Sequence, residues 1–90
     1  MTPAGAFSLE KLSGHWQDFI ASAKLMDHSV AGFLRSARPK AVKNGIVTIE
    51  AFYKFHQERL VEPKVTELLE TLVKKLFGEK VKVAVILGKK

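Results

Sequence analysis

The chain has 90 residues, of which 47% are hydrophobic and 27% charged; this size and mixture suit one small globular domain and exclude a disordered or fibrous chain. Cysteine is absent, which excludes disulfides, thiolate metal sites and cysteine nucleophiles and makes the cytoplasm the expected compartment. The longest strongly apolar run, near Val83 to Leu87, is far short of the roughly 20 residues of a membrane-spanning helix. The formal net charge of +6 favours an acidic partner, whether a protein patch or a nucleic acid.

Residues 1–7, which begin "MTPAGA", are uncharged and mostly small and read as a linker remnant. The expected single interaction domain is 8–88, followed by a tail at 89–90. From Ser8, a plausible N-cap, apolar residues from Leu9 through Leu12, Trp16, Phe19, Ile20 and Ala23 to Met26 recur at threes and fours. That is the one-faced pattern of an amphipathic helix. Gly14 weakens it by about 1 kcal/mol. Asp27, His28 and Ser29 interrupt the pattern. Ser29 is then a candidate cap for a second short helix carrying Val30, Phe33 and Leu34 inward, with Pro39 as its stop.

The next segment alternates. Val47, Ile49 and Ala51 point one way and Ile46, Thr48 and Glu50 the other, which predicts a half-buried strand. Asn44-Gly45 supplies the positive φ angles of a type I′ turn, so Lys40 to Lys43 is the expected partner strand of a hairpin. After Phe52 the period is again helical until Pro63, which suits the first position of a further helix. Val65, Leu68, Leu69, Leu72, Val73, Leu76 and Phe77 form its stripe, and Gly78 is its C-cap. Lys80 to Leu87 reads as a last strand with Val81, Val83, Val85 and Leu87 on one face.

The expected fold is therefore α+β, a two-layer sandwich in the order α-α-β-β-α-α-β. Its small three-stranded sheet has helices packed on one face, and the other face is partly open to solvent or a partner.

No catalytic or metal motif emerges, and no cofactor is expected. His56 and Glu58 are two apart on a helix and point to different sides. His15 and His28 have no second ligand at metal spacing. Trp16 reads as a core residue, and Phe55 and His56 as a framework joining sheet to helix. Pro39, Gly45, Pro63 and Gly78 are the structural punctuation.

Two basic clusters remain as candidate binding residues. Arg35, Arg38, Lys40 and Lys43, with Tyr53 as an aromatic anchor, would steer an acidic protein partner. Lys74, Lys75, Lys80 and Lys82 are candidates for weak, salt-sensitive contact with nucleic-acid phosphates. The element order is also that of a type II KH domain. A KH domain clamps nucleic acid with a G-x-x-G loop, whereas this junction reads Val61-Glu62-Pro63-Lys64.

The succession "HWQDFIASAK", "SVAGFLRSARPKAV", "NGIVTIEAFYKFHQERL" and "LLETLVKKLFGEKVKVAV" resembles the C-terminal domain of the bacterial DNA polymerase III gamma/tau subunit, the clamp-loader subunit. The phrases that carry it are the Trp16 helix, Leu34 to Pro39 before the hairpin, Val47 to Ala51, and Phe55, His56, Glu58 and Leu60. The match spans about Leu9 to Val85. A related likeness is the N-terminal domain of the replication initiator DnaA. The resemblance implies a non-catalytic module that tethers the clamp loader to replisome proteins, either the polymerase III catalytic subunit or the replicative helicase. ATP hydrolysis would belong to other parts of such a subunit.

Overall fold

The computed structural model describes residues 8–88; the expected linker at 1–7 and tail at 89–90, with Lys89 and Lys90, lie outside the described residues. Five helices and three strands follow in order: α1 (Leu9–Gly14), α2 (Trp16–Met26), α3 (His28–Arg35), β1 (Ala37–Lys43), β2 (Ile46–Ala51), α4 (Lys54–Leu60), α5 (Pro63–Phe77) and β3 (Lys82–Leu87). This is the expected α+β order, with the first helical stretch divided at His15. Gly14 weakens the helix there, and His15 leaves helical geometry at φ −115°, ψ 20°. The periodicity carries through the break, so Leu12, Trp16, Phe19, Ile20 and Ala23 are all buried. Met26, at the end of α2, faces solvent.

β1 begins at Ala37 instead of Lys40 and β3 at Lys82 instead of Lys80, and two further boundaries differ from expectation. The cap of α3 is Asp27, whose Oδ1 accepts from the amides of Ser29 at 2.9 Å and Val30 at 3.3 Å. A carboxylate at a helix N-terminus gains from the dipole as well as from the bonds, so it outcompetes the Ser29 hydroxyl. The other is Pro39, which stops no helix: α3 ends at Arg35 and Pro39 lies inside β1. A proline is tolerated there because β1 is an edge strand with a register shift between Pro39 and Ala41,.

The sheet order is β1-β2-β3, antiparallel between β1 and β2 and parallel between β2 and β3. Asn44 at φ 52° and Gly45 at φ 74° close the hairpin, the pair of positive angles that a type I′ turn needs. The Gly45 carbonyl then accepts from Lys82 N–H at 2.8 Å, and Ala51 carbonyl accepts from Gly88 N–H at 2.7 Å. These two bonds bracket the parallel ladder.

Val47, Ile49, Ala51, Ala37 and Val85 face the helices and are buried with Phe19, Leu34, Leu60, Leu69, Leu72 and Val73. Ala51 is fully buried. Gly78, at φ 74°, ends α5 in the left-handed conformation. Pro63 begins α5 where a missing N–H leaves no bond unmade,.

Candidate docking surface

The bulge at Lys40 decides what the outer face of the sheet presents. Arg38 pairs with Glu50 and Pro39 with Ile49, but Ala41 pairs with Thr48. One extra residue therefore lies between two correctly facing stretches. Without it, strict alternation would turn Val42 outward and Lys43 into the core. With it, three rows cross the outer face: Lys43, Ile46 and Lys82; Ala41, Thr48 and Ala84; and Arg38, Glu50 and Ile86.

Along these rows Ile46 is 43% and Ile86 39% exposed. Ile46 thus lies between Lys43 and Lys82 in its row, while Ile86 stands on the edge strand next to Glu50.

Glu50 is the exception on this face, only 7% exposed. Arg38 Nε donates to its Oε1 at 3.0 Å, and Lys40 Nζ stands 3.9 Å from its Oε2. The Arg38 guanidinium also lies 5.3 Å from the centre of the Phe52 ring. A buried carboxylate is tolerated only with such partners, and here one acid neutralises the inner part of a basic face. A Cβ at Gly88 would overlap Cγ and Oε2 of Glu50. Gly88→Ala is accordingly expected to push the carboxylate off Arg38 and to cost about 1–3 kcal/mol, as overpacking does. The check is the urea midpoint at unchanged m-value; an unmoved midpoint would show that Glu50 repacks freely.

The sheet edges are less inviting than its face. On β3, Glu70 Oε2 accepts from Val83 N–H at 3.1 Å and Gln57 Nε2 donates to the Val85 carbonyl at 3.3 Å. Side chains from α5 and α4 thus occupy part of that edge, while β1 carries a proline and a bulge. Both devices discourage addition of a further strand.

The structure divides the residues singled out from the sequence. Arg38, Lys40 and Lys43 share β1 and join Lys82 from the other cluster. Arg35 is elsewhere, lining a depression with Gln17, Ile20, Ala21 and Lys24 of α2. Tyr53 stands beside α4 with its ring 5.1 Å from that of His56. Lys74, Lys80 and Lys82 line a groove of about 410 Å³ beside the Gly45 turn, together with Glu67 and Glu70. Lys75 is exposed on α5 and is not part of that lining.

His56 packs among aromatic rings, with Phe33 at 5.1 Å and Phe55 at 6.2 Å, and its Nδ1 is buried without a hydrogen-bond partner among the described residues. Phe55 itself is 56% exposed and carries the Arg59 guanidinium over its ring at 5.2 Å. Trp16 is stacked on Phe19 with centroids 5.3 Å apart.

Among the described residues no three His, Cys, Asp or Glu gather as metal ligands, and no helix is long and apolar enough to cross a membrane.

Fold and surface thus define a small α+β domain whose distinctive feature is an open, cation-edged sheet face. The chain belongs to the family of DNA polymerase III subunit tau C-terminal domains: the model of that family matches residues 2–90. Membership assigns it to DNA replication. No curated protein matches the chain.

Proposed function

We propose that the domain is a non-catalytic protein-interaction module of the clamp loader in the cytoplasm. It tethers that assembly to the polymerase III catalytic subunit or the replicative helicase. The observation that carries this reading is the outer face of the sheet, where Ile46 and Ile86 are exposed on the surface that also carries Arg38, Lys43 and Lys82. Exposed apolar area on such a patch supplies affinity, and the cations beside it steer an acidic partner and speed encounter. Tyr53 and Lys40 extend the same reading toward α4 and the β1 edge.

The test is capture of purified catalytic subunit or helicase by the immobilised domain, with nuclease present and at two salt concentrations. Nuclease-resistant capture that weakens with salt is the expected result. Capture of neither protein under any condition would remove the tether.

A second reading rests on the convergence of Lys74, Lys80 and Lys82 around one groove, which would suit a KH-like or DnaA-like contact with single-stranded nucleic acid. Glu67 and Glu70 line the same groove and oppose a phosphate backbone. A steep fall of oligonucleotide affinity with salt, lost on changing Lys80 or Lys82, would favour this reading.

A further inference from the structure

At the margin of the docking face, the outer edge of β1 forms an open pocket of about 450 Å³ lined by Ser13, Trp16, Arg38, Pro39 and Lys40. Two of these residues are cations and none is an acid. Arg38 is held in place before any ligand arrives, because its Nε is bonded to Glu50 and one guanidinium face rests on Phe52. Those contacts leave its terminal nitrogens without a hydrogen bond among the described residues. A guanidinium so fixed loses little freedom on binding an anion. Lys40, displaced outward by the bulge, adds a second charge beside it.

Trp16 forms one wall of the same pocket. It is 9% exposed, and its indole Nε1 is buried with no acceptor among the described residues. The ring faces argue for the kind of ligand. Trp16 is stacked on Phe19 at an interplanar angle of 10° and is too buried to stack on a base, which is how proteins commonly hold single-stranded nucleic acid.

We propose that this pocket receives the carboxylate of an acidic side chain from the partner protein, with Arg38 and Lys40 supplying charge beside the wall formed by Trp16. The inference rests on the docking reading and adds to it the chemistry of the partner.

Trp16 is the only tryptophan, so its fluorescence reports the pocket directly. The full chain is titrated with a blocked peptide of alternating Glu and Ala, with the Gln-Ala counterpart as control. A saturable change in emission with the Glu peptide alone is expected. Arg38→Gln should weaken it roughly tenfold or more, the scale of one charge-assisted hydrogen bond. Lys40→Gln leaves the Arg38–Glu50 bond in place and should also weaken binding, so the loss is not one of folding. Arg35→Gln, in a separate depression, should change nothing.

No saturable response, an equal response to the Gln peptide, or insensitivity to both Arg38→Gln and Lys40→Gln overturns the proposal. A tighter response to single-stranded oligothymidylate overturns it in favour of nucleic acid. Capture of the catalytic subunit or helicase by the unaltered domain, measured separately, distinguishes failure of this pocket from failure of the docking reading.

Discussion

Phe19→Ala is expected to lower the unfolding free energy by about 3–5 kcal/mol, the usual cost of removing a fully buried phenylalanine. Phe19 is 1% exposed and fills the space beneath Trp16, on the helix that packs against both α3 and α5. A 90-residue domain has a total stability of roughly 5–13 kcal/mol at the usual margin per residue,. The loss is therefore more than a fifth of the total, and enough to unfold a protein at the low end. Urea unfolding followed by the emission of Trp16 measures it. A midpoint shift equivalent to less than about 1 kcal/mol would mean that the helices close over the cavity, and the close packing inferred around Trp16 would be wrong.

Ile46→Asp is expected to have the opposite profile, sparing the fold and damaging binding. Ile46 is exposed, and in its row it lies between Lys43 and Lys82. An aspartate there gains two cationic neighbours across the strands, an arrangement that favours the sheet. For the partner the same change removes an exposed apolar contact at the hairpin end of the face and sets a negative charge against an acidic surface. The loss expected for an anchor residue is about 2 kcal/mol, or roughly 30-fold in Kd. Calorimetry with the catalytic subunit or the helicase, beside a urea curve of the variant alone, separates the two effects. Unchanged affinity would move the docking surface off this face. The aromatic group of Phe33, Tyr53, Phe55 and His56 would then become the surface to test.

Elements governed by near neighbours along the chain are legible in the sequence itself. Asn44-Gly45 forms its turn because positive φ is cheap for those two residues. Pro63 begins and Gly78 ends α5 because their backbones suit those places, and the alternation of Val47, Ile49 and Ala51 gives β2 its buried side. Where two local choices lie close in energy, the sequence is less decisive. Ser29 and Asp27 both offer a cap to α3, and Pro39 is compatible with either a helix stop or an edge strand beside a bulge.

The candidate site is only half legible in the sequence, and the missing half has one cause. Arg35, Arg38, Lys40 and Lys43 form a single cluster in the chain, yet β1 carries the last three while Arg35 ends a helix over another depression. Lys82, far away in sequence, lies in the same cross-strand row as Lys43 because β2 pairs in parallel with β3. Glu50 reads as an ordinary solvent-side position and becomes the buried partner of Arg38 through the β1–β2 register. Composition and periodicity determined that this chain would be a basic α+β domain with one covered sheet face. Strand order, register and the bulge at Lys40 decided which charges meet. Those depend on the packing of the whole core, since shifting one strand by a single residue would turn its buried side chains to solvent.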